Sequence, residues 1–98
     1  MSECLDSFER LLDLSERMVE AAEGENWSVL TRHEAKRREL VESLPADLCA
    51  GLADAEQVKA RVLLESCQRC DAKVRPLVET HLDELRVLLG PGPQSGSG

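Results

Sequence analysis

Apolar and small residues recur through the second half of the chain at Leu63, Cys67, Cys70, Val74, Leu77, His81, Leu85 and Leu88, mostly in alternating steps of four and three. That period marks one face of an α-helix. Asp54-Ala55-Glu56-Gln57 opens the run, with an aspartate able to accept from first-turn amides and Gln57 able to reach back. Gly90-Pro91 closes it, because glycine tolerates the left-handed end position and proline cannot continue a helix. The pattern predicts one helix from Asp54 to Leu89, about 54 Å long, whereas no other helical run exceeds about 30 Å. Part of its apolar face therefore has no partner within the chain. Pro76 falls inside the run, and a kink near Ala72 or Lys73 is expected from the hydrogen bond it removes.

Two shorter helices precede it. From about Ser2 to Glu23, Leu5, Phe8, Leu11, Leu12, Met18, Val19, Ala21 and Ala22 trace a helical stripe among acidic neighbours. Gly24 ends this helix, Asn26 is placed to cap the next, and the short turn between them forces an antiparallel hairpin with Trp27 anchoring its corner. The second helix, roughly Trp27 to Ser43, has Val29, Leu30, Leu40 and Val41 near its ends but a polar centre. Of its basic residues Arg32, Lys36, Arg37 and Arg38, a solvated face is the preferred reading over pairing with the acidic first helix or an outside partner. Pro45 ends the helix, and Ala46 to Ala53 forms a linker or a single turn.

The expected architecture is all-α: an antiparallel three-helix bundle with a long, coiled-coil-like C-terminal helix. Residues 1–90 make one domain, and the Pro/Gly/Ser-rich stretch 91–98, which has nothing to bury, is expected to be disordered and resembles an engineered linker. Ninety-eight residues are too few for the layered core of a typical enzyme, which favours a small binding module.

Charge and cysteine content narrow the function. A net charge of -7 argues against nucleic-acid binding, which needs a basic surface. No run of about 18 apolar residues is present, and Met1-Ser2-Glu3 does not begin a signal peptide, so a cytosolic protein without membrane insertion is expected. In that compartment the four cysteines are expected to be free thiols. Cys67-Gln68-Arg69-Cys70 has the spacing of a zinc or redox pair, yet Cys4, Cys49, His33 and His81 supply no second paired motif, and both cysteines lie on the apolar stripe, where cysteine acts as a small hydrophobe. Neither a metal nor another cofactor is expected. His81 shares that stripe and lacks a nucleophile beside it, so it reads as a core-edge histidine, and no catalytic residue is assigned.

What remains is an apolar surplus at Leu77, Val78, Leu82, Leu85, Leu88 and Leu89, two adjacent stripes that together exceed the width of a two-helix seam. It is either buried by the first two helices or left as a groove for a helix of another chain, with Phe8 and Leu12 as candidates on the facing helix.

Gly24-Glu25-Asn26-Trp27-Ser28-Val29-Leu30 at the hairpin and Leu82-Asp83-Glu84-Leu85 with Leu88-Leu89-Gly90 at the end of the long helix resemble the FliT-type flagellar export chaperones, as does the order of helices from about Leu5 to Gly90. The resemblance implies a cytosolic chaperone that holds the C-terminal helical segment of the filament-cap protein, prevents premature assembly and delivers it to the export ATPase complex and export gate. It also admits a homodimeric helical adaptor that binds a transcription activator. Some relatives carry a further C-terminal helix over the binding surface; the stretch after Gly90 cannot form one, which puts self-inhibition in doubt.

Overall fold

The computed structural model of the protein describes residues 3–89, so the expected disorder of 91–98 lies outside the described residues. Three helices follow in order: α1 (Glu3–Glu23), α2 (Trp27–Ser43) and α3 (Asp54–Leu89). The helical bundle expected from the periodicity is present. α1 and α2 form the hairpin, and α3 returns alongside α1 in the same direction.

α1 is the central element. It packs against both other helices, whereas the backbones of α2 and α3 do not approach one another. Its buried seam is Cys4, Leu11, Ser15, Met18, Ala21 and Ala22, a run of mostly small side chains that lets a helix lie close on either side. The bulkier Phe8 and Leu12 stay half-buried at the margin of this seam. The main cluster joins Met18, Ala21 and Ala22 of α1 to Leu30 of α2 and Val74 of α3, with Val19, Trp27, Val29, Leu77 and Val78 packed around it.

The α1–α2 corner is closed by a Schellman arrangement. The amide of Asn26 donates to the carbonyl of Ala21 at 2.8 Å and that of Glu25 to Ala22 at 3.1 Å. The left-handed position that this geometry requires is occupied by Glu25, with φ 56°, and not by the glycine one residue earlier. Asn26 does precede the first residue of α2, but its side chain makes no capping bond to the helix; its Oδ1 accepts from the Ser28 hydroxyl at 3.4 Å.

At the start of α3 the reach-back is shifted by one residue from the expected box. Gln57 donates its amide to the Ala53 carbonyl at 2.9 Å, which makes Ala53 the capping residue. Glu56 Oε1 accepts from the Ala53 amide, while the Gln57 side chain donates to the Leu52 carbonyl. α3 then runs as one helix through Pro76, whose carbonyl accepts from the Thr80 hydroxyl at 2.9 Å.

Of the four basic residues on α2, Arg37 departs from the solvated reading. Its guanidinium donates to Ser15 Oγ of α1 at 3.1 Å and to Asp71 Oδ1 of α3 at 2.6 Å, tying together two helices whose backbones stay apart. Arg38 pairs only with Glu34 on its own helix.

The expectation of four free thiols is corrected. Cys4 and Cys49 form a disulfide with a Cα separation of 5.2 Å, within the range such a bond spans, and only Cys67 and Cys70 are free. The two partners lie 45 residues apart, so no local motif announced the bond. α1 carries the chain away from Cys4, α2 brings it back along the hairpin, and the 44–53 connection lays Cys49 against the first turn of α1.

Two outcomes follow from these contacts. Glu25→Gly removes a left-handed penalty at a position already shaped for glycine and is expected to stabilise the fold by about 0.5–1 kcal/mol after glycine's own entropy cost. Thermal unfolding followed by circular dichroism should show the midpoint rising by roughly 2–8 °C. Arg37→Met should cost about 1 kcal/mol in urea unfolding, because it removes the cross-helix bonds to the buried Ser15 hydroxyl and the half-exposed Asp71, whereas Arg38→Met should change stability by less than about 0.5 kcal/mol.

Candidate functional site

The register of α3 against α1 decides which part of its apolar stripe is covered. Phe8 and Ala60 line one hollow, Ser15 lies against Cys67, and Met18 packs in one cluster with Val74. Continuing this parallel pairing, α1 reaches its end at Glu23 when α3 has reached only about Glu79. Near that level Trp27 of the hairpin stacks its indole on His81, with ring centroids 4.1 Å apart and planes 14° from parallel. Such a stacked ring pair contributes about 0.5–1.5 kcal/mol beyond the area it buries.

Beyond that stack α3 overhangs the bundle by roughly two turns. Leu82 is 46% exposed, Leu85 36%, and Leu88 and Leu89 each 81%, with Val87 open as well. Val78, Leu82, Leu85 and Leu89 continue one line along the helix, so the face that packs on the core at Val78 runs on without interruption into solvent. Leu77, His81 and Leu88 form the neighbouring line. The overhang is flanked by Glu79, Asp83 and Glu84, and Arg86 pairs with Asp83 at 3.1 Å.

The six residues expected on α3 thus fall into two groups. Leu77 and Val78 are half-buried against the core cluster and serve the bundle at least in part. Leu82, Leu85, Leu88 and Leu89 form the open surface. Phe8 and Leu12 do not join them. Phe8 lines a hollow with Cys49, Leu52, Ala60 and Leu64 near the disulfide, and Leu12 sits between it and Ser15 on α1. At 1.5 Å per residue, Leu64 is about 27 Å along α3 from Leu82. The misplacement has a simple origin, since helical periodicity assigns residues to a face but not to a level along it. A second small apolar groove, lined by Leu5, Val58, Val62 and Leu63, was not anticipated. Val58 and Val62, four residues apart and both exposed, were its only signal in the sequence.

Cys67 and Cys70 sit where the stripe meets α1. Burial pushes both thiols above their ordinary range; the Ser15 hydroxyl pulls Cys67 back in part, while the nearby Glu16 carboxylate raises Cys70 further. Both are therefore protonated at neutral pH, unlike a reactive or metal-binding thiolate. Among the described residues no group of three or more His, Cys, Asp or Glu side chains is placed to hold a metal ion. No described helix is long and apolar enough to cross a membrane.

A row of leucines on a helix end projecting past a small bundle has the form that accepts another helix. No curated protein and no solved structure matches the chain. The family model described as flagellar protein FliT matches residues 5–95, which include all of α2 and α3 and nearly all of α1. The chain belongs to the FliT family of flagellar proteins.

Proposed function

We propose that this protein is a cytosolic flagellar export chaperone whose overhanging α3 end holds an amphipathic helix, the C-terminal segment of the filament-cap protein. The observation that carries this reading is the exposure of Leu82, Leu85, Leu88 and Leu89 in line with a core-packing face. A client helix laid on that face extends the packing already made at Val78. Each leucine that it buries contributes up to about 1.5–3 kcal/mol, less the cost of ordering the client. While held, the client's own assembly surface is occupied, and the complex would be passed to the export ATPase complex and export gate.

Membership of the family and the geometry of the overhang support this reading together. Glu79 and Glu84 beside the overhang favour a client helix with basic residues beside its apolar face. The rival reading, a homodimeric adaptor that binds a transcription activator, draws on the same exposed leucines and differs in what covers them.

Replacing Leu82 and Leu85 together by serine should weaken capture of the cap protein's C-terminal peptide by roughly a hundredfold or more, with the helical circular dichroism largely unchanged because both side chains are exposed. Unchanged affinity in isothermal titration would sink the site. Light scattering of the chain alone separates the two readings: a monomer that forms a one-to-one complex with peptide supports the chaperone, whereas a dimer that dissociates in the double serine variant supports the adaptor.

A further inference from the structure

The function just proposed leaves the Cys4–Cys49 disulfide unused, at the end of the bundle far from the overhang. Cys4 is 1% exposed in the first turn of α1, and Cys49 is half-buried in the connection between α2 and α3. The hydrogen bonds that shape this connection are local: Leu48 amide to Pro45 carbonyl, Ala50 amide to Asp47 carbonyl, and the Glu56 and Gln57 contacts at Ala53 and Leu52. Gly51 adopts a left-handed φ of 76° with open space around it. A segment of this kind, built from isolated turns, sits at the low-stability end of a fold. Cys49 and Leu52 nevertheless line the same hollow as Phe8 and Ala60.

We propose that the Cys4–Cys49 bond is a thiol-responsive clamp: intact, it holds the 44–53 connection against the start of α1, beside the hollow lined by Phe8 and Ala60, and its reduction releases that connection while the Met18–Leu30–Val74 core stays closed. The bond closes a loop of 45 residues, a long one for a single cross-link to constrain. The reaction is an exchange with a dithiol. One thiolate of the reductant attacks the more accessible Cys49 sulfur, the Cys4–Cys49 bond breaks, and Cys4 leaves as a thiolate that takes up the proton released by the attacking thiol. The reductant's second thiol then displaces Cys49 in the same way. The products are two protein thiols and an oxidised dithiol, so two electrons and two protons pass to the protein.

The other two cysteines stand apart from this exchange. Cys67 lies against Ser15, eleven residues beyond Cys4 on α1, about 16 Å away along the bundle. With its thiol held protonated by burial, it is a poor competitor for the disulfide.

Hydrogen exchange on the full chain, with and without dithiothreitol, tests the clamp. Reduction should speed amide exchange in residues 44–53 and in the first turn of α1 by roughly tenfold or more, leaving the amides around Met18, Leu30 and Val74 unchanged. Cys49→Ser should exchange like the reduced protein under both conditions, and the Cys67→Ser/Cys70→Ser double variant should respond to dithiothreitol as the parent does. Three results would overturn the clamp: four alkylatable thiols in the unreduced protein, identical exchange in both states, or acceleration spread evenly over all three helices. None of these readouts depends on the client.

Discussion

Everything in this structure hangs on α1 having to serve two neighbours at once. It is the one helix against which both α2 and α3 pack, and its seam is built from residues small enough to be approached from two sides, Ser15, Ala21 and Ala22 among them. Large side chains along that line would push one neighbour away. The arrangement separates α2 from α3, and long side chains close the gap where backbones cannot: Arg37 reaches across Ser15 to Asp71, and Trp27 reaches His81.

The same constraint produces the surface proposed to hold the client. α1 and α3 start near the same end and run in the same direction, but α1 has 21 residues and α3 has 36. A shared start and unequal lengths leave the far end of α3 uncovered. Because the apolar line of α3 does not stop at His81, the uncovered end is a continuation of the core face and not an ordinary solvated helix terminus. The core face and the proposed binding surface are therefore two segments of one stripe, with the Trp27–His81 stack between them.

At the opposite end the bundle is finished by a covalent bond. Cys4 and Cys49 join the start of α1 to a connection whose own hydrogen bonds are short-range. The two ends of the molecule thus solve different problems. One is held shut by a cross-link, and the other is left apolar and open. The thiols between them, Cys67 and Cys70, are protonated by burial and act as packing.

The sequence by itself determined the three helices, including the full span of α3 from Asp54 to Leu89, because helical periodicity and the turn residues that interrupt it are local and repeat many times. It also determined that α3 carries more apolar surface than its neighbours can cover, since helix length follows from residue count. Only the tertiary structure decided where that surplus lies. The level of one helix against another is set by the connections and by packing across many positions, which is why Leu82 to Leu89 project while Phe8 and Leu12 stay at the other end. Local capping signals were legible to within a residue, as at Glu25 beside Gly24 and Ala53 beside Asp54, since neighbouring positions offer nearly equivalent hydrogen bonds. The Cys4–Cys49 bond was not legible at all, because a cross-link between distant residues depends on where the chain brings them, and no spacing in the sequence encodes that.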